Sequence, residues 1–398
     1  MIAHVDADSF FASVLVRSNP GLQGKPLLAI GMGGGCVIAA TYEAKAKGVK
    51  TGMPLFEARK LVPGAIEMAA DFRETGLASE QIESILRSVC PIVQQYSIDE
   101  WFMDLGSIVG GAPKDPEAWG RDIQTQVRLE TALSVSVGIA GSKLLSKMAS
   151  EERKPAGVTY VSKDSAEAFL RKRPAAAIPG IGRQRTAKTD AIGLLTAWDI
   201  AVANPSQIVP ICGRPGLEMQ RELLGERVEG FVTEAVPPKS ISRCRTFKAT
   251  DDRMTAKAYL LKHLEYCVMK MRRWNLGAAE VSVWLRAPDF AYRGAHRKLG
   301  KLAITADDIA GPALSALGSL TWHGQRFNQI GLALTNLQNA DIRQQSLFDD
   351  PNVVMGKEKL QEAMDALHTR YGRDSVTRAS ALSVSTGTTK GLEFSMVE

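Results

Sequence analysis

Residues 91 to 105 read PIVQQYSIDEWFMDL, two apolar runs of strand character that close on a tight turn at Asp99 and Glu100. Adjacent strand residues point to opposite faces, so both carboxylates serve one site only if the turn or a bulge reorients one of them. Taken alone, the motif is a polar β-turn between two strands. Toward the N-terminus, residues 4 to 11 read HVDADSFF, where Asp6 ends a first strand and Asp8 follows two positions later. Residues two apart in an extended segment face the same side, so Asp6 and Asp8 can both reach one cation; a helix N-cap or a solvated turn is the more common fate of such a pair. The combination is more informative than either part. Three carboxylates, Asp6, Asp99 and Glu100, fall on two neighbouring strands of a chain whose histidines and cysteines form no cluster. That donor set favours oxygen-seeking Mg²⁺ over zinc and suits two-ion phosphoryl transfer.

A triphosphate substrate needs cations, and YEAKAK supplies Tyr42 and Lys45 one turn apart on one helical face, with Lys154 in RKPAG. Lys45 is also readable as a solvated helical lysine, and Lys154 before Pro-Ala-Gly as a loop marker. The glycine-rich GMGGG at 31–35 is not a Walker phosphate loop, because no GKS or GKT follows it, and it reads as a hairpin turn.

At 398 residues the chain is long enough for two to four domains, and 45% hydrophobic with 23% charged residues is ordinary globular usage, which excludes collagenous, coiled-coil and wholly disordered classes. The net charge of +6 leans mildly toward a polyanionic partner. Five cysteines without CxxC spacing indicate reduced thiols rather than a disulfide framework. With no apolar run near the roughly 18 residues of a membrane span, the expectation is a cytoplasmic protein. Paired Pro237 and Pro238 stiffen a connector, and residues 239 to 326 beyond it carry sixteen Lys/Arg against seven Asp/Glu, so the basicity is concentrated in one module.

HVDADSFFASV, YEAKAKGVKTGMP, YSIDE with WFMDL, SVGIAGSKLLSKMASEERKPAGV and IPGIG occur in that order along the chain. The ordered set resembles the Y-family translesion DNA polymerases over nearly the whole length. The start is similar to the DinB (polymerase IV) branch, whereas GCVIAA, EAKAKGVKTG and the LFDD tail are similar to the UmuC (polymerase V) branch, and the branch stays open. The resemblance implies an α+β multidomain right hand with a ferredoxin-like palm, small fingers, a helix-hairpin-helix thumb and an α/β little finger. Carried onto this chain, it divides into palm at 1–18 and 75–161, fingers at 19–74, thumb at 162–230, linker at 231–238, little finger at 239–338 and a tail at 339–398.

The same resemblance implies that Asp6, Asp99 and Glu100, with the Ala7 backbone carbonyl, hold two Mg²⁺ ions, while Asp8 is a structural hydrogen-bonder at the helix entry. Phe11 falls at the steric-gate position, where a bulky ring clashes with a ribose 2′-OH; without the resemblance, Phe10 and Phe11 are core aromatics. Tyr42, Lys45 and Lys154 match the triphosphate contacts, Lys45 replacing an arginine common in the DinB branch. Gly180 and Gly182 of IPGIGR are expected to present backbone amides to a DNA phosphate. Lys239, Arg243, Arg245 and Lys248, on a strand within KSISRCRTFK, are expected to grip the DNA backbone, with a solvated basic face as the alternative. Gln344, Leu347 and Phe348 resemble the bacterial sliding-clamp-binding peptide, and LQEAMDALHTRY beyond them offers Leu360, Met364, Leu367 and Tyr371 at helical spacing for packing onto the body.

The expected activity is low-fidelity, template-directed extension of a primer by dNTPs, in a monomer whose partners are primer-template DNA, dNTP and the sliding clamp. The alternatives are a catalytically silent DNA- and clamp-binding repair protein and a two-metal nuclease. Intact carboxylates argue against the first; the gate aromatic and the triphosphate-directed lysines have no use in the second.

Overall fold

The structure is a computed structural model that describes residues 1–31, 35–320, 325–342, 350–372, 375–377 and 379. Most of GMGGG, and all of Gln344, Leu347 and Phe348, lie outside the described residues. The strands are β1 (Ile2–Ala7), β2 (Leu27–Ile30), β3 (Val37–Ala40), β4 (Ile66–Ala69), β5 (Val93–Gln95), β6 (Glu100–Asp104), β7 (Val135–Ala140), β8 (Val158–Tyr160), β9 (Ile241–Thr250), β10 (Leu276–Arg286), β11 (Tyr292–Ala303) and β12 (Phe327–Asn339). The chain divides into two compact units between Ala235 and Val236, inside the expected linker.

The first unit is built on a five-stranded sheet of order β5-β6-β1-β7-β8, with β1 at its centre and antiparallel to both neighbours. Every residue of β1 is buried. Its odd positions, Ala3, Val5 and Ala7, join a core with Ile82, Ile85 and Leu86 of helix Phe72–Val89 and with Ile123 and Val127 of helix Pro116–Thr131. Its even positions put His4 and Asp6 on the opposite face. There helix Lys143–Ser150 approaches closely, because β7 carries Gly138: a Cβ at that position would overlap Ser146 O and Ser150 N.

Helix Phe10–Ser18 joins this sheet to a smaller one of order β3-β2-β4. It packs Phe10 and Val14 into the larger core, while Ala12 and Leu15 pack with Leu27, Ala29 and Ala39. Beyond β8, residues 166–223 are helical, as their punctuation predicts, around a core that includes Leu170, Ile178, Ile181, Ile200 and Ile208.

The second unit is a four-stranded antiparallel sheet of order β11-β10-β12-β9, covered on one face by helices Arg253–Arg273 and Ala306–Ser319. The C-terminal helix is longer than its sequence pattern indicates, running from Pro351 to Tyr371, and of the expected stripe only Met364 is buried. Gln361, Met364 and His368 are buried, whereas Leu360, Leu367 and Tyr371 are exposed. Polar anchors set that rotation: Asp365 pairs with Arg272 at 2.6 Å, Lys357 with Asp308 at 3.3 Å, and Gln361 accepts from the Ala306 backbone at 3.3 Å.

Replacing Gly138 by alanine is expected to cost about 3 kcal/mol of stability, because the added methyl must push helix Lys143–Ser150 off the sheet. Urea unfolding of Gly138→Ala against the parent measures this, and an unchanged midpoint would show that the close approach is not needed.

Candidate active site

Asp6 on β1 stands directly opposite Glu100 on β6 in the antiparallel register. The turn before β6 is closed by Tyr96 and Ser97, whose amides donate to the Glu100 carbonyl at 2.9 and 3.1 Å. Asp99, the last residue of that turn, accepts the Ala7 amide on its backbone carbonyl at 2.9 Å, and its carboxylate accepts from the Ser97 hydroxyl. The hairpin therefore does what an extended strand cannot and brings consecutive acidic residues to one end of β1.

Among the described residues, His4, Asp6 and Glu100 each offer a ligand-capable atom within 4.8 Å of the others. His4 was not singled out from sequence. It is fully buried, its Nδ1 lies 2.8 Å from Ser150 Oγ, and its Nε2 faces Glu100 Oε1 at 3.9 Å. Burial, reinforced by Lys147 and Lys154, holds its pKa well below the ordinary imidazole range, so it is neutral. Burial also pushes Asp6 up to about 7, opposed by Lys154 and reinforced by the charge of Glu100 across the strand pair. Asp99 is raised by the same desolvation, partly offset by Ser97. A divalent cation would reverse this balance in favour of the ionised carboxylates. The close pairing of carboxylate oxygens at the end of a rigid strand fits a hard cation.

Two lysines meet this charge. Lys154 Nζ lies 2.7 Å from Asp6 and 2.6 Å from Glu151, and Lys147 is ion-paired with Glu100. Burial opposes the charge of Lys154, yet Asp6 and Glu151 together hold its pKa above the usual lysine range. Lys147 was read in the sequence only as part of its motif; its pairing with Glu100 spans 47 positions and has no local signal.

Asp8 does not point at the same cation as Asp6. Its carboxylate accepts from Ser136 Oγ at 2.8 Å, Tyr42 OH at 3.3 Å and the Ala156 amide at 2.9 Å, the structural role expected for it. It ties the end of β1 to β7, to the Tyr42 helix and to the loop carrying Lys154. Lys45 sits with its ammonium 4.7 Å from the centre of the Tyr42 ring, as their spacing predicts. Burial, then Lys154, lowers the Lys45 pKa, while burial and Asp8 raise that of Tyr42.

Phe10 and Phe11 separate clearly. Phe10 is core, at 2% exposure, whereas Phe11 is half-buried with its ring edge-on to Phe72 at 5.6 Å. Gly180 takes φ +94°, which favours glycine, and Gly182 caps helix Arg183–Asp190. Together with Glu100, Lys147, Glu151, Glu152 and Arg173, this turn lines an open cleft of about 610 Å³.

The four cations of KSISRCRTFK divide between the two faces of the sheet. Lys239 precedes β9 and is exposed, as is Lys248 on it. Arg243 and Arg245 alternate to the helix side, where their guanidiniums lie 4.1 Å from the Tyr266 ring centre and 5.7 Å from that of Tyr259. The strand period of two accounts for Lys248 pointing opposite to the arginines.

Comparison with known proteins places this geometry. The family model described as impB/mucB/samB matches residues 5–151, and its C-terminal domain model matches residues 238–347. DNA polymerase IV of Caulobacter vibrioides is 31% identical over 384 residues, covering 96% of this chain and 94% of that protein. DNA polymerase IV of Methanoculleus marisnigri is 33% identical over 353 residues, covering 87% of this chain and 97% of its own. Among solved structures, a Y-family DNA polymerase chimera of Dbh and Dpo4 superposes with a TM-score of 0.75 at 26% identity, over 84% of this chain and 98% of its own. DinB from Sulfolobus solfataricus gives 0.56 at 26% identity with the same coverage.

Truncating Asp8 to alanine is expected to destabilise the protein by about 2 kcal/mol, since it leaves the buried Ser136 hydroxyl and the partly buried Ala156 amide without their acceptor. Asp8→Asn should recover part of the loss. Thermal unfolding of both variants decides it, and an Asp8→Ala protein as stable as the parent would remove Asp8 from the scaffold.

Proposed function

The chain belongs to the impB/mucB/samB family of Y-family, polymerase IV-type DNA polymerases, and from that membership we propose how its own residues carry the reaction. It is a DNA-directed DNA polymerase of low fidelity that acts in translesion synthesis and binds DNA and dNTP. The observation that carries the residue-level reading is the register that sets Asp6 against Glu100 with Asp99 at the adjoining turn.

In this reading Asp6, Asp99, Glu100 and the Ala7 carbonyl hold two Mg²⁺ ions, and His4, though near, is a neutral buried neighbour fixed by Ser150. Bound there, Mg²⁺ supplies Lewis-acid activation of the primer 3′-OH and neutralises charge on the phosphates. The remaining work belongs to the chain. Lys154, Lys45 and Tyr42 receive the triphosphate oxygens; Lys154 is already drawn toward the site by Asp6, and the Asp8 carboxylate orients the Tyr42 hydroxyl. Such prepositioned donors contribute because they need no reorganisation when charge develops. Phe11, its ring held by Phe72, excludes a 2′-hydroxyl by occupying the space beneath the sugar. The 3′-OH attacks the α-phosphate, and pyrophosphate leaves.

The Gly180 and Gly182 turn is the proposed phosphate contact for one DNA strand, through amides at a helix start. In the second unit, Lys239 and Lys248 are the proposed backbone contacts, with Arg243 and Arg245 contributing from the strand's other face. Gln344, Leu347 and Phe348 are proposed to bind a bacterial sliding clamp. A cytoplasmic location and a monomeric state are part of the same proposal; no helix among the described residues is long and apolar enough to cross a membrane.

Primer extension on an undamaged template, with Mg²⁺ and each dNTP or rNTP, tests the assignment. Glu100→Ala should reduce dNTP incorporation on the order of a thousandfold while leaving DNA binding intact. Undiminished extension would remove Glu100 from the centre. Phe11→Ala should raise rNTP relative to dNTP incorporation by about tenfold or more, and unchanged sugar discrimination would return Phe11 to the core.

A further inference from the structure

Asp6 and Glu100 are opposed in one strand pair, where like charges face to face are destabilising and water is largely excluded. The protein answers with one ammonium for each carboxylate, and both come from a single stretch: Lys147 from helix Lys143–Ser150 and Lys154 from the turn after it. Lys154 has a use in the proposed reaction, but Lys147 has none. Its side chain is only 20% exposed, it lies 5.2 Å from the centre of the Tyr96 ring, and it pairs with Glu100 Oε1, the oxygen that also faces His4. Lys147 is thus the lysine directly paired with Glu100 among the described residues.

We propose that Lys147 is an internal counter-ion that occupies the place of the metal on Glu100. It stabilises the metal-free sheet and must be displaced, or share the carboxylate, when a divalent cation binds. It is a positioning residue acting through Glu100, and it sets how readily the site loads before nucleotide arrives. The inference rests on the reading of Asp6 and Glu100 as metal ligands. It follows from electrostatics: a fixed cation on a ligand oxygen lowers the affinity of that oxygen for a second cation, and in a partly desolvated site this effect is not screened away.

Mn²⁺ binding to the full-length protein, without DNA or nucleotide, followed by electron paramagnetic resonance or calorimetry, tests this directly. Lys147→Met is expected to bind Mn²⁺ about fivefold more tightly than the parent, comparable to the strength of a partly exposed ion pair. Its metal-free melting temperature should fall, and the rise in melting temperature on adding Mn²⁺ should exceed that of the parent. A merely structural lysine would lower the first and leave the affinity unmoved. Lys147→Gln, which keeps a hydrogen-bond donor without charge, must show the same tightening, and it serves if the methionine variant does not fold. In a Glu100→Gln background the Lys147 substitution should change nothing. Equal or weaker Mn²⁺ affinity in both variants, with the parent binding normally, overturns the counter-ion role alone. A parent whose Mn²⁺ binding is absent, or is unaffected by Asp6→Asn and Glu100→Gln, overturns the metal-site reading beneath it.

Discussion

The pairing of β1 with β6 sets Asp6 and Glu100 opposite each other inside the protein, and much of the first unit is organised around that repulsion. Two carboxylates in a site of reduced dielectric cannot both stay ionised without compensation. The compensation is visible as Lys154 on Asp6, Lys147 on Glu100, and an Asp6 carboxyl pushed up to about 7 despite its lysine. Such a concentration of carboxylate charge marks a potential metal-binding site.

Holding such charges in place requires a scaffold that does not relax. The central position of β1, buried along its whole length, fixes the backbone; Gly138 admits helix Lys143–Ser150 close enough for Ser150 to reach His4 and for Lys147 to reach Glu100. Asp8 then joins β1 to β7, to the Tyr42 helix and to the Lys154 loop through three hydrogen bonds. Asp8, outside the close Asp6–Glu100 pair, thus aligns Tyr42 and the loop carrying Lys154, the groups proposed to receive the triphosphate. The second unit places its four cations by different physics. There β-strand alternation puts Lys248 on the open face, and turns Arg243 and Arg245 toward tyrosine rings that stiffen them by cation–π contact.

The acidic hairpin, the N-terminal strand ending at Asp6, the basic module beyond the proline linker and the helical run after residue 162 were all legible in the sequence. They depend on local patterning: apolar runs, turn residues and charge density act within a few positions of the chain. One local reading needed correcting. The C-terminal helix forms, yet of the expected apolar stripe it buries only Met364, with Gln361 and His368, because ion pairs to Arg272 and Asp308 fix its rotation. KSISRCRTFK forms a strand from Ile241 onward, as its pattern predicts, and the pleat divides its cations between two faces.

The sequence by itself determined the family, the set of candidate carboxylates and the order of the elements, since motif identity and short-range pattern are properties of the chain. Only the tertiary structure decided which charges meet. Lys147 lies 47 positions from Glu100, Ser150 lies 146 from His4, and Ala156 lies 148 from Asp8. No periodicity encodes such pairs. They arise when antiparallel pairing and one glycine-permitted helix contact bring the strand ends together, and a sum of packing constraints across the whole sheet fixes that geometry.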